Sequence, residues 1–330
     1  MASALSSSLV VSDSRSGSAM GATVVAVTGG VMIALTRIDR AMREEPGQLI
    51  ATVHDEVVLL LPDDLSAAER IGSIAQRVAS YTAMLAQGLR VYDDHILFSP
   101  NFSAPPVGGL SVVTLHDLSV FHFPDFHPRD RVNYLREQIH AAVERADHLV
   151  TDSGFVRTEL LQLFPLSADR VTAIPLGVDA TFRPRAGAGI EAVLARHGLR
   201  AGAYLLSVGT IEPRKNLAGL LRAYGLLPAA LRQRYPLLIA CAYGWNSASL
   251  MADIRRLAGA GEVVYLDYVE EGQLGALYAG AAAFGYFSFY EGFGLPVLEA
   301  MASGVPVACS ASSALPELAA DCALQADPQD

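Results

Sequence analysis

Phe289-Tyr290-Glu291-Gly292-Phe293-Gly294-Leu295-Pro296-Val297-Leu298-Glu299-Ala300-Met301-Ala302-Ser303-Gly304-Val305-Pro306-Val307 is the stretch that decides the fold. An apolar strand ends near Ser288, and the glycine-rich turn after it lets a ligand approach the backbone closely. Pro296 suits the first residue of a helix, and Gly304 and Pro306 close that helix before another strand begins. The helix then points its N-terminus at the mouth of a parallel sheet. Free N–H groups and the helix dipole there favour an anion such as a diphosphate. Glu291 lies in the turn, and Glu299, eight residues on, about one turn inside the helix. Both can face one crevice, where a carboxylate accepts hydrogen bonds from the hydroxyls of a ribose or hexose. Read alone, the string also fits a strand–helix junction with two solvated glutamates.

The same strand–turn–helix alternation runs outward in both directions. Apolar strands are expected at Ala22–Val27, Glu56–Leu61, His95–Ser99, Ser111–Leu115, His148–Thr151 and Val171–Pro175. Further strands are expected at Tyr204–Val208, Leu237–Ala242, Glu262–Leu266, Ala281–Phe287 and Val305–Ser310. Runs so rich in Val, Ile and Leu suit parallel strands covered on both faces. Helices are expected at Arg131–Ala146, Ser153–Leu163, Leu217–Leu226 and Ser249–Ala258. The pattern predicts α/β layers joined by right-handed crossovers. Pro175 to Asp179 ends one strand series, Phe182 to Gly189 reads as a linker, and a fresh series starts at Tyr204. Two domains are expected, 1–180 and 181–330.

Composition narrows the function classes. Apolar residues make up 52% of the 330 and charged residues 18%, enough for two proper cores and too apolar for disorder. The formal net charge of −10 argues against general binding of nucleic acid or anionic lipid, so an anionic ligand needs a local site. Cys241, Cys309 and Cys322 form no CxxC pair and no metal spacing with histidines; all three are expected to be small buried hydrophobes in a reducing cytoplasm. The uncharged run Ser16–Thr36 is long enough to consider as a membrane span. Its Gly, Ser and Thr content and the Gly29-Gly30 break argue instead for a buried strand, a glycine turn and a helix. No Asp-x-Asp string is present to hold a divalent cation on a diphosphate; Asp63-Asp64 and Asp93-Asp94 are adjacent pairs in polar turns.

Four more segments carry candidate chemistry. In Leu206 to Leu217, a strand ends at Gly209 and Asn216 is a good helix cap. Arg214 and Lys215 stand between them, at the C-terminal end of a parallel strand, where ligands bind in open α/β sheets. Arg can clamp a diphosphate in a bidentate way and Lys adds a point charge; the bland alternative is a solvated surface pair. In Val112 to Phe121, His116 again follows a buried strand, as a ligand group or a histidine bonded in the core. His122 and His127 make no metal spacing with it and read as loop structure or acceptor surface. In Ala146 to Leu160, Ser153 reads as an N-cap. Ala240 to Trp245 closes a strand with Cys241 and Ala242 before Gly244.

The string from Phe289, with Glu291 and Glu299 eight apart, resembles the Glu-x7-Glu signature of the family 4 glycosyltransferases, and the segment around Arg214 resembles that family's EPRKN element. The His116-Asp117 pair resembles its HD element, and Ala146 to Leu160 its strand-to-helix corner. The resemblance covers roughly residues 95–330 and is nearest to bacterial mannosyl- and rhamnosyltransferases of surface polysaccharide synthesis. Cys241 and Ala242 replace glycines usual under the base and ribose, and residues 1–90 lack the usual start of the fold. The resemblance implies a GT-B fold: two Rossmann-like domains, with parallel sheets facing a central cleft and the donor site in the C-terminal one. It also implies a few more helices than the chain has before Asp330.

By the same resemblance, the chain is expected to move a mannose-like hexosyl group, with retention, from a nucleoside-diphosphate sugar to a glycan or lipid-linked glycan. No cofactor or metal is implied, and GDP is favoured over UDP. The catalytic residues implied are His116, Arg214, Lys215 and Glu291. Those implied for donor binding are Gly209, Arg214, Lys215, Glu291, Gly292, Phe293, Gly294, Leu295 and Glu299. Glu291 is expected on the donor sugar and Glu299 on the ribose, in place of a glycosidase-like carboxylate pair. The expected setting is cytoplasmic, with peripheral membrane contact and no nucleic-acid partner. The alternative is an inactive, truncated relative that binds a nucleotide sugar or a partner protein.

Overall fold

The computed structural model describes residues 96–104, 108–270 and 272–330, together with four strands within residues 9–62. The Gly29-Gly30 turn, the helix expected after it and the Asp63-Asp64 and Asp93-Asp94 turns lie outside the described residues.

Strands β1 (Leu9–Ser12), β2 (Ala22–Thr28), β3 (Leu49–Val53) and β4 (Glu56–Pro62) form a sheet of order β1-β2-β4-β3. The strands expected at Ala22–Val27 and Glu56–Leu61 are there, but they pair antiparallel, as do β1 with β2 and β3 with β4. This corrects the expectation of parallel pairing. His54 and Asp55 alone separate β3 from β4 in sequence, and a parallel crossover needs a dozen or more residues.

A second sheet has the order β5-β6-β7-β8, from Leu97–Ser99, Ser111–Leu115, His148–Thr151 and Val171–Ala173. β5 and β6 run parallel, with Leu97 opposite Ser111. Ahead of β7 come a short helix, α1 (Ser119–His122), and the long α2 (Arg129–Arg145). α2 buries Val132, Ile139, Ala142 and Val143, a stripe at helical spacing. Asp147 accepts hydrogen bonds from the Ser111 backbone N–H (2.8 Å) and hydroxyl (3.2 Å), which ties the starts of β6 and β7 together. α3 (Gly154–Leu163) follows β7.

The third sheet is parallel throughout: β9 (Leu205–Ile211), β10 (Leu237–Tyr243), β11 (Val263–Leu266), β12 (Ala283–Tyr286), β13 (Val307–Ser310) and β14 (Leu324–Ala326), in the order β11-β10-β9-β12-β13-β14. Between its strands lie α5 (Leu217–Leu226), α6 (Ala229–Arg234), α7 (Ala248–Gly259), α8 (Leu274–Ala279), α9 (Leu295–Ala302) and α10 (Leu315–Ala319); α4 (Ala188–Arg196) precedes β9. Alternation along β10 shows why its run is apolar without a break. Leu238 and Ala240 pack in one core with Leu277, Val297 and Ala300 from α8 and α9. Leu237, Ile239 and Cys241 pack in the other with Leu217 and Tyr224 of α5 and Met251 and Ile254 of α7. Both faces are buried, as in other parallel sheets.

The chain forms two compact units, one of Met1–Leu115 and Asp130–Val150, the other of His116–Arg129 and Thr151–Asp330. The second unit therefore takes in residues from both sides of the expected boundary at 180/181. Cys241 and Cys309 are buried as expected; Cys322 is exposed, because it lies in the turn after α10 and not in an apolar strand.

Candidate active site

Counted from β9, the third sheet runs 3-2-1-4-5-6, so its strand order reverses between β9 and β12. That reversal opens a crevice at the C-terminal ends of the two strands, the general location of ligand sites in such sheets. After β9 the chain makes a 3-10 turn, Pro213–Lys215, and enters α5 through Asn216. Asn216 is left-handed (φ 50°), and its side chain accepts the Gly219 N–H, the cap expected from its residue type. After β12 comes the glycine turn. The Phe289 N–H donates to the Arg214 carbonyl at 2.9 Å, so the two turns are joined by backbone.

This juxtaposition gathers four charges. Lys215 Nζ lies 2.8 and 3.0 Å from the two Glu291 carboxylate oxygens. Arg214 donates from Nη1 to Glu291 (3.1 Å) and to the Tyr290 carbonyl (2.9 Å), and from Nη2 to Glu212 (2.7 Å). Both carboxylates are buried. With both ionised, the cluster balances two cations against two anions, as burial demands. Burial would raise the Glu291 pKa, but Lys215 and then Arg214 override it and hold the carboxyl at about 2. Burial would lower Lys215 and Arg214, and Glu291 keeps both above their ordinary values. The Glu212 pKa is raised, its burial outweighing Arg214 and Lys215. Among the described residues, Arg214 Nε and Glu212 Oε2 are buried with no hydrogen-bond partner, so the cluster keeps donor and acceptor capacity.

The glycines of the turn are explained by contact. A Cβ on Gly292 would collide with the His116 carbonyl oxygen, so only glycine lets the turn lie against that segment. Gly294, at φ 109°, precedes α9, and a Cβ there would meet Leu315 at 2.5 Å. α9 starts at Leu295, one residue ahead of the position expected from Pro296. The turn is moored from outside as well. Ser153 Oγ donates to the Gly292 carbonyl (2.6 Å) while it accepts the Val156 N–H as the cap of α3. Tyr290 donates to Glu159 and accepts the Leu118 N–H (3.2 Å). His116 turns Nδ1 to the buried Asp152, 2.8 Å away.

Of the expected residues, Arg214, Lys215 and Glu291 come together directly, and Gly292 abuts His116. Gly209 lies beside the Tyr286 ring, the nearest atom to a Cβ built there, at 3.9 Å. Phe293 is buried and Leu295 exposed at the start of α9. Glu299 stands apart from the cluster, accepting a hydrogen bond from Tyr278 at 2.8 Å. Of the two further histidines, His122 pairs with Glu159 (3.0 Å) and His127 is buried near Trp245. Sequence reasoning assigned no role to Glu212, Tyr286, Tyr278 or Asp152. Glu212 was legible as a charge two residues from Arg214, whereas Tyr286 lay within an expected strand, Asp152 beside the expected cap Ser153, and Tyr278 outside the expected strands and helices.

Residues 196–324 match the model of glycosyl transferases group 1, and residues 77–182 that of glycosyltransferase family 4. The chain carries two glycosyltransferase domains. The group 1 domain holds the ion cluster, and the family 4 domain holds His116, Asp152 and Ser153. Over 245 residues the chain is 44% identical to an O-antigen chain mannosyltransferase B of Escherichia coli, covering 74% of this chain and 64% of that one. Over 184 residues it is 33% identical to the serotype-specific mannosyltransferase WbdA of Escherichia coli, covering 54% of this chain and 22% of that one. It therefore spans less than two thirds of the length of these relatives. The fold is GT-B. It is shared with HepE of Anabaena, solved in complex with UDP and glucose (TM-score 0.64, 19% identity, 77% of this chain and 69% of that one). It is also shared with WaaG, a glycosyltransferase involved in lipopolysaccharide biosynthesis (TM-score 0.62, 18% identity, 76% and 69%). Among the described residues no helix is long and apolar enough to cross a membrane.

Proposed function

We propose that this chain transfers a mannose-like hexosyl group, with retention and without a metal, from a nucleoside-diphosphate sugar, GDP-linked in preference to UDP-linked, to a glycan or lipid-linked glycan. The observation that carries this reading is the convergence of Arg214, Lys215 and Glu291 at the sheet's reversal point, beside the start of α9. Likeness to O-antigen mannosyltransferases supports the sugar and the acceptor class.

The residues divide the work by charge. Arg214 and Lys215 stabilise the negative charge that develops on the departing diphosphate, usually the largest catalytic contribution. Glu291 and Glu299 bind hydroxyls, of the donor sugar and of the ribose, and His116 reaches the transferred sugar. The acceptor hydroxyl oxygen bonds to the anomeric carbon from the face the diphosphate leaves. Its proton passes to the departing phosphate oxygen, so configuration is retained and no separate base is required. In this reading the enzyme works in the cytoplasm, with peripheral contact at the inner face of the membrane where lipid-linked acceptors lie.

Calorimetric titration with GDP, UDP and ADP, in the presence of a chelator, tests the donor site. We expect selective binding of GDP, weakened about 10-fold or more in Arg214→Ala by the loss of a charge-assisted hydrogen bond and clearly reduced in Glu299→Ala. Binding that requires a divalent cation would overturn the metal-free reading. A folded protein that binds none of the three would leave an inactive relative as the better description.

A further inference from the structure

We propose that Tyr286 is a positioning residue, whose hydroxyl fixes the Lys215 ammonium while the Glu291 carboxylate is released to the donor. This rests on the donor-site reading above and adds a residue to it. Tyr286 is the last residue of β12, paired with Cys309 of β13, and its side chain is 3% exposed. Its ring stacks on that of Phe284, with centroids 5.9 Å apart. The hydroxyl has no freedom to wander, and it lies 2.7 Å from Lys215 Nζ and 3.0 Å from Glu291 Oε1. It accepts from the ammonium and donates its one proton to the carboxylate. The ammonium also sits 5.3 Å from the ring centroid.

The two groups that hold Lys215 differ in how they respond to an incoming anion. Glu291 stands in a turn and carries the same sign as a diphosphate, so the two compete for the ammonium. Tyr286 stands on a central strand and is neutral. It keeps a hydrogen bond to Lys215 whichever anion is present, and it accepts only one of the three ammonium protons. A lysine is a point charge on a flexible stem, so its placement depends on such a fixed partner. A phenylalanine would fill the same core volume. A buried hydroxyl is retained without cost only where it is hydrogen-bonded, and here both its partners belong to the site.

A double-mutant cycle on the full chain tests this: wild type, Tyr286→Phe, Lys215→Met and the double variant. The readouts are GDP affinity by calorimetry, kcat/KM for hexosyl transfer, and melting temperature. A hydrogen bond to a charged group predicts that Tyr286→Phe lowers kcat/KM by about 10-fold or more. In the Lys215→Met background the same change should have a much smaller effect, because the ammonium is gone and only the hydrogen bond to Glu291 remains. Independent, multiplying effects in the two backgrounds would overturn the assignment, as would an unchanged kcat/KM in Tyr286→Phe. If Tyr286→Phe melts below the assay temperature, 3-fluorotyrosine at position 286 keeps the shape and alters only the hydroxyl's acidity. Its effect must likewise shrink with Lys215→Met. A wild type that binds no nucleoside diphosphate overturns the donor-site reading and this inference with it, whereas binding and turnover with multiplying effects sink the Tyr286 assignment alone.

Discussion

At the scale of single residues, the site is governed by how Glu291 stays ionised while buried. Its carboxyl is held at about 2 against an ordinary 4.5. A depressed carboxyl pKa contributes stability that is present above the unfolded value and lost as pH falls through the folded one. Glu291→Gln should therefore melt well below the wild type at neutral pH, by the equivalent of about 3–5 kcal/mol if the pair is fully broken. The gap should narrow as pH drops from 4.5 toward 2. Calorimetric melts of both proteins across that window check the sign, and a constant gap would mean that Glu291 is not held by charge. Gly292 makes a second demand at this scale. Gly292→Ala puts a methyl against the His116 backbone, which cannot yield as a side chain can. A loss of about 1–3 kcal/mol is expected from such overpacking, accompanied by weaker nucleotide binding, and an unperturbed melt would show that the close approach is not real. Residue type and spacing pointed to both positions, but only the fold brings the His116 carbonyl against Gly292 and leaves no room there for a Cβ.

At the scale of elements, α3 does two things through one hydroxyl. Ser153 caps the helix, as its residue type predicts, and also donates to the Gly292 carbonyl 139 positions along the chain. Glu317 of α10 adds to the same helix end, accepting the Gly154 and Phe155 N–H groups at 2.9 and 2.8 Å. A carboxylate at a helix N-terminus is favoured by the free N–H groups and the dipole. Ser153→Ala should cost about 1 kcal/mol as a lost cap. It should also weaken GDP binding, because the glycine turn loses a mooring. Ser153→Thr, which keeps the hydroxyl, should restore both. Melting and calorimetry separate the two effects, and a stability loss with unchanged affinity would reduce Ser153 to a cap. The helix boundaries at Leu217–Leu226 and Gly154–Leu163 follow from local caps and periodicity. The partners of those caps do not.

At the scale of the whole molecule, an acidic chain must hold an anionic donor by local means. The site proposed for it lies where β9 and β12 run side by side, though some seventy residues separate them in sequence. The sequence by itself determined the alternation of strand and helix from Ser111 onward. It also placed the Arg214-Lys215 and Glu291 turns at strand ends, and its motifs marked the chain as a relative of glycosyltransferases. These are properties of neighbouring residues: periodicity, caps, glycines and prolines act within a few positions. The tertiary structure alone decided that β9 neighbours β12, and hence that Glu291 bridges both cations. It alone set the Tyr286 hydroxyl between Lys215 and Glu291, and Asp152 against His116. It also decided that β2 and β4 run antiparallel. An apolar run can be buried in either direction, and which strand lies beside it depends on packing and chain connection across the whole fold, on which local sequence has no hold.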